Sequence, residues 1–226
     1  MFIGHWAPAF AAAALTKRAP KLGTLFIAAQ LVDWGFFALA SVGIEKMRVE
    51  PGATALVPFD LYHMPYTHSL LANALWALGF AMILMIIRRD IITALLGGAV
   101  VLSHWFVDLI VHRPDLTLAG GEARYGLGLW NHPSSAIALE LALTIGAFLW
   151  YISRTKGPVM PPWILLSLLL VFQAINWFGP APAEAGFALY ISALASFGIA
   201  AWAAYWVGTT RRHMQDRGLA AGSARR

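Results

Sequence analysis

The sequence contains no cysteine and little charge, with Asp, Glu, Lys and Arg together making up 12% of its residues. The lack of thiols excludes disulfides, thiolate metal sites and cysteine nucleophiles. Any metal must then be held by histidine and carboxylate, a donor set that suits zinc first, and iron or manganese next. A Gly-x-Ser-x-Gly elbow and a phosphate-cradling Gly-rich loop are also missing, so neither a serine nucleophile nor a P-loop nucleotide site is indicated. The net charge is +5, but the basic residues sit in short turns and the tail, away from any patch interleaved with aromatics; nucleic acid is not an expected partner. Of the 226 residues, 59% are hydrophobic and ten are Trp, which is the composition of an integral membrane protein.

Seven apolar segments stand out, at about 3–16, 22–44, 67–87, 91–112, 134–153, 162–179 and 185–208. They predict an all-α membrane protein of about seven transmembrane helices. The first segment is short for a full span, so six full helices with a re-entrant or tilted first one is the other arrangement. Residues 1–210 read as a single polytopic membrane domain and 211–226 as a basic tail. Twelve of the sixteen Lys and Arg fall on one set of connections: Lys17, Arg18, Lys21, Arg88, Arg89, Arg154, Lys156, Arg211, Arg212, Arg217, Arg225 and Arg226. Only Lys46, Arg48, Arg113 and Arg124 fall on the other. The positive-inside rule makes the first set cytoplasmic, with the N-terminus outside and the C-terminus inside. The stretch Met1 to Leu15 has its positive charges after it and none before, unlike a signal peptide. The outer connections, 45–66 and 113–133, carry Pro and Gly throughout; 45–60 reads as an irregular lid rather than a strand. Trp6, Trp105, Trp130, Trp163 and Trp177 read mostly as an interfacial belt.

Within the fourth segment, His104, Asp108 and His112 are spaced four apart and so share one helix face. An unpaired Asp at membrane depth costs several kcal/mol, so Asp108 needs a partner. His104 and Asp108 lie about 6 Å apart along a helix axis and can take one ion together, which leaves His112, about 12 Å from His104, for a second ion or a supporting place. Other polar residues converge on the same slab. Counted from each helix's basic end, His5 and Asp33 come to roughly 18 Å, His104 and Glu140 to roughly 21 Å, Asp108 to roughly 27 Å and His68 to roughly 30 Å. Each has a plainer reading. His5 beside Trp6 can be an interfacial anchor, His112 can snorkel beside Arg113, and Glu140 can be satisfied by a hydrogen bond from Trp or Tyr. Gln30 reads as a supporting hydrogen-bond partner, Gln173 and Asn176 read as helix-packing groups, and His63 and His132 stay unassigned.

The order His5, Asp33, Pro65-x-x-His68, His104-x-x-x-Asp108-x-x-x-His112, then Tyr125-Gly126-Leu127-Gly128-Leu129-Trp130-Asn131 resembles the bacterial inner-membrane metal-dependent hydrolase family (YdjM-like) over about the first 145 residues. The succession His, Asp, His, His-x-x-x-Asp is similar, more distantly, to the ligand order of zinc-dependent phospholipase C and the S1/P1 nucleases, which are soluble and differ in spacing. Carried over position by position, the resemblance implies metal ligands at His5, Asp33, His68, His104 and Asp108, with His112 a further one.

These readings lead to a membrane-embedded hydrolase in the bacterial inner membrane, its site facing the periplasm. It would act through a metal-activated water on a lipid-like or lipid-linked phosphoester, or an ester or amide, that enters sideways from the outer leaflet. Asp33, the deepest acid, is the expected bridging carboxylate, and Glu140 or a free face of Asp108 the expected general base. The rival reading is a non-catalytic membrane subunit or scaffold in which the buried His/Asp site merely pins helices. An ion pathway would require polar groups in the cytoplasmic half, which is almost purely apolar. A histidine-rich di-iron oxidase would require more paired histidines than the chain has.

Overall fold

The computed structural model describes residues 1–214, so Arg217, Arg225 and Arg226 of the expected basic tail lie outside the described residues. Each apolar segment is helical. A 3₁₀ turn, Ile3–Trp6, leads into α1 (Ala7–Leu15), followed by α2 (Leu22–Ser41), α3 (Leu70–Arg88), α4 (Ile91–Val111), α5 (Pro133–Arg154), α6 (Met160–Phe178) and α7 (Phe187–Thr210). Six of these, α2 to α7, are long and apolar enough to cross a membrane. The first is the exception: Ile3–Leu15 is too short, and it lies within the bundle with Ile3, Trp6, Ala9, Phe10 and Ala14 fully buried. This agrees with an all-α membrane protein that has six candidate spanning helices and a shorter first one.

The helix starts follow local chemistry. Pro8, Pro133 and Pro161 sit in first turns, where the missing N–H costs nothing. Ser69 caps α3 by accepting from Ala72 N at 3.1 Å, and Asp90 caps α4 by accepting from Ile92 N at 2.9 Å. Between these two helices the chain turns on Arg89, whose φ of 50° ends α3. Small residues then let α3 and α4 lie close, since a Cβ on Gly98 would stand 3.1 Å from both Ala77 O and Ala81 Cβ. The far side of α3 exposes Leu71, Leu75, Leu78, Met82, Ile83, Ile86 and Ile87, as expected of a surface that faces lipid. Inside the bundle, Trp6, Phe10, Phe26, Phe148 and Phe197 form an aromatic core around α1.

The connections sort to two ends. At one end Arg18 grips Asp90 through two hydrogen bonds, 3.0 and 2.5 Å. At this same end β3 (Thr155–Lys156) pairs with β4 (Arg212–His213), and His213 Nε2 lies 3.0 Å from Ala14 O. At the other end the expected irregular lid is instead a hairpin, with β1 (Lys46–Val49) antiparallel to β2 (Phe59–His63) around an irregular 50–58. Its strands, four and five residues long, are too short for alternation to announce them, and Pro51, Gly52 and Pro58 between them read as loop. Arg48 and Arg113 both bind Asp60, which ties the hairpin to the stretch that follows α4. The aromatic belt also needs correction, because Trp6 and Trp105 are buried in the protein rather than placed at an interface.

Candidate metal centre

The close of α4 brings His104, Asp108 and His112 to one face, and three other elements meet them there. His5 comes from the 3₁₀ turn, Asp33 from α2, and His68 from the stub just ahead of α3. Asp108 is the middle of the arrangement. Its Oδ1 lies 3.0 Å from His5 Nε2 and 3.5 Å from His112 Nε2; its Oδ2 lies 3.1 Å from His104 Nε2 and 3.7 Å from His68 Nε2. The Met1 amino group also donates to Oδ1, at 2.7 Å. Asp33 Oδ1 stands 3.3 Å from His68 Nε2 and 3.5 Å from His104 Nε2. The carboxylate placed between the histidines is therefore Asp108, while Asp33 faces two of them.

Three histidines are held from behind, and that fixes which nitrogen looks inward. His104 Nδ1 lies 3.0 Å from Ala29 O, and His112 Nδ1 lies 2.9 Å from Asp115 Oδ1. His68 Nδ1 lies 2.8 Å from Thr67 Oγ1, whose hydroxyl donates to Glu45 Oε2 at 2.6 Å, so the imidazole N–H is the donor to Thr67. With Nδ1 protonated in each, Nε2 is left as a lone-pair donor aimed at the two carboxylates. His104 Nε2 has no hydrogen-bond partner despite full burial. Its ring stacks parallel on His5 at 3.7 Å, and the His112 ring packs 4.5 Å from Trp130.

Such a set fits a metal. The edge of a tetrahedron with arms of about 2.0–2.1 Å is about 3.3 Å, and the Asp33, His68, His104 and Asp108 donor separations fall around that length. Among the described residues, two groups have ligand atoms within 4.8 Å of one another: Asp33, His68 and His104, and His5, His104 and Asp108. The buried His/Asp cluster can thus hold a metal ion, and Asp108 offers one oxygen to each side of it. Accessibility is uneven. The Asp33 side chain keeps 18% of its surface accessible, against at most 3% for His68, His104, Asp108 and His112.

Glu140 stands apart from both groups. Its Oε1 accepts from Phe2 N at 2.7 Å and Gly4 N at 3.0 Å, and its Oε2 accepts from Gln173 Nε2 at 3.2 Å. Gln173 Oε1 in turn accepts from Ile3 N at 3.2 Å, and Gln30 Nε2 donates to Phe2 O at 3.2 Å. The opening N–H groups of a helical segment have no acceptor of their own, and within a membrane no water replaces one. Glu140 and Gln173 fill that need, Gln30 holds the Phe2 carbonyl, and together they seat His5. His63, at the end of β2, and His132, at the start of α5, are exposed and outside both groups.

Four participants were not singled out from the sequence: Thr67, Glu45, Asp115 and the Ala29 carbonyl. Glu45 is 1% exposed and takes three hydrogen bonds, from Tyr66 N, Thr67 N and Thr67 Oγ1. The one sign of it in the sequence is an acid directly following the apolar segment 22–44. The loop after α4 closes over the cage: Leu127 N and Gly128 N donate to Leu109 O and His112 O, satisfying carbonyls at the helix end. Gly126 (φ 158°) makes this approach possible, because a Cβ there would overlap the carbonyls of His112 and Arg113. Comparison of the chain with protein-family models, with curated proteins and with solved structures gives no match.

Proposed function

We propose that this chain is a membrane-embedded, metal-dependent hydrolase of a lipid-like or lipid-linked phosphoester. The observation that supports the reading best is the backing of His68, His104 and His112 through Nδ1, which leaves their Nε2 atoms converging on Asp33 and Asp108. Helix packing alone has no need of three oriented imidazoles around two acids, whereas a metal does. In this reading His5, Asp33, His68, His104, Asp108 and His112 hold one or two divalent ions, zinc first. Such an ion supplies Lewis acidity that activates water and polarises a phosphoryl oxygen. Asp108 sets the spacing of the two sides of the cage, and Asp33, the accessible acid, is placed to accept a proton from an entering water. The surrounding aromatic and aliphatic core excludes bulk water and strengthens these electrostatic effects. The crowding of Lys and Arg onto the opposite end supports a cage on the outer half of a bacterial inner membrane, facing the periplasm.

A second reading is favoured by one contact. The Met1 amino group at 2.7 Å, with four imidazoles around it, can neutralise Asp108 without any ion, as a structural subunit would require. Elemental analysis of purified wild type beside Asp108→Asn and Asp33→Asn, at matched size-exclusion profiles, separates the two. The hydrolase reading expects one or more equivalents of zinc, iron or manganese in wild type and loss in both variants, then turnover in a panel of phosphoester, ester and amide lipids. Wild type that stays metal-free after reconstitution, or metal-replete protein that cleaves none of the panel, overturns it.

A further inference from the structure

The two connections beside the cage carry four cations, and the structure treats them differently. Arg48 is spent on Asp60 at 2.7 Å and Glu50 at 3.3 Å, and Arg113 is spent on Asp60. Arg124 makes no hydrogen bond or ion pair among the described residues, and it lines a cavity of about 160 Å³ between the hairpin and the loop after α4. His63, exposed and equally without a side-chain partner, lines the same cavity. So do two residues of the buried centre, His68 and Asp115, the latter holding His112 through its Nδ1. One cavity therefore runs from an unpaired arginine at the surface to a histidine of the cage. Lys46, the fourth cation, is not part of its lining.

The contents of this cavity select for an anion. A guanidinium presents paired donors that match two oxygens of a phosphate, and an imidazole N–H beside it adds a third donor. Asp115 lines the cavity as well, but its carboxylate is turned to His112 at 2.9 Å and to Arg113 at 3.9 Å and makes no ion pair with Arg124. The volume corresponds to about five waters at about 30 Å³ each, enough for a phosphate group and its first ester atoms. Met64 and Pro65 supply an apolar wall for the carbon attached to that ester.

We infer that this cavity is the anion-recognition vestibule of the centre, in which Arg124, aided by His63, holds the phosphate of the substrate as it enters from the loop side rather than from between the helices. The inference rests on the hydrolase reading for what happens next, but not for the binding itself. The shared chemistry is a phosphate group, carried either by a lipid headgroup or by a soluble molecule.

The test uses the full chain in detergent or nanodiscs, zinc-loaded and chelated in parallel, with Arg124→Gln, Arg124→Lys and Lys46→Gln. Binding of inorganic phosphate is read by calorimetry, binding of phosphatidic-acid vesicles by co-flotation, and zinc content by elemental analysis. Arg124→Gln is expected to keep wild-type zinc and weaken phosphate binding by about tenfold, since hydrogen bonds to a charged group are at stake. Arg124→Lys should recover part of the loss and Lys46→Gln should lose nothing. A loss seen with both probes assigns the vestibule to a free phosphate, and a loss seen with the vesicles alone assigns it to a headgroup. Unchanged binding of both probes by Arg124→Gln overturns the proposal, as does loss of zinc from that variant. If wild type takes up no zinc, the hydrolase reading fails by itself, and equal binding of both probes by chelated wild type and chelated Arg124→Gln overturns the vestibule separately.

Discussion

An imidazole becomes a good ligand when its far nitrogen is tied down, and Thr67 does this for His68 through a hydroxyl that passes the hydrogen bond on to Glu45. Thr67→Val keeps the bulk and removes the relay. Metal affinity is expected to fall by about 10–100-fold, with Thr67→Ser restoring most of it, as read by competition against a chelator of known affinity. Equal affinities in all three proteins would assign Thr67 to packing alone. Asp33, Asp108 and the histidines could be read from the sequence because each is a costly group inside an apolar stretch, and His104, Asp108 and His112 also keep helical spacing. Thr67, Glu45 and Asp115 could not. A threonine before a helix and an acid in a loop are ordinary residues until the fold carries them to an imidazole.

The same contrast holds for Glu140. Its depth marked it as unusual, but depth does not distinguish a proton carrier from a clamp. In the structure its carboxylate takes Phe2 N and Gly4 N, so the element it serves is the 3₁₀ turn that presents His5. Glu140→Leu leaves both N–H groups without an acceptor in a buried place, at about 1–3 kcal/mol each. Its thermal unfolding midpoint in detergent should drop well below that of wild type, and Glu140→Gln, which keeps one carbonyl acceptor, should fall between them. Should Glu140→Gln keep the wild-type midpoint while losing all turnover, Glu140 would be a proton carrier after all. The helical elements themselves were readable to within a few residues, because long apolar runs bounded by Pro, Ser and Asp have few alternatives. The hairpin at 46–63 was not, since β1 and β2 are four and five residues long and depend on Asp60 being held by Arg48 and Arg113.

Across the whole molecule, the count of Lys and Arg grouped the connections into two sets, and the fold keeps each set at its own end. Arg18 with Asp90, Arg211 with the Thr155 and Pro158 carbonyls, and His213 with Ala14 gather one end. The hydrogen bonds from Arg18 hold the Asp90 carboxyl below its usual range, so this clasp is complete above the ordinary carboxylate range and is lost only as acid protonates Asp90. The hairpin and the 113–131 stretch gather the other end, around the cage. The positive-inside rule then makes a claim about the cell: the clasped end faces the cytoplasm and the vestibule faces out. The absence of cysteine makes the claim simple to check, because any introduced thiol is the sole one. Ala119→Cys, in the loop after α4, should react with a membrane-impermeant maleimide on intact spheroplasts. Lys156→Cys, in β3, should react only after the membrane is opened. The reverse pattern would turn the cage toward the cytoplasm. A phosphoester substrate would then have to be sought among molecules made inside the cell rather than among those exposed on the outer leaflet.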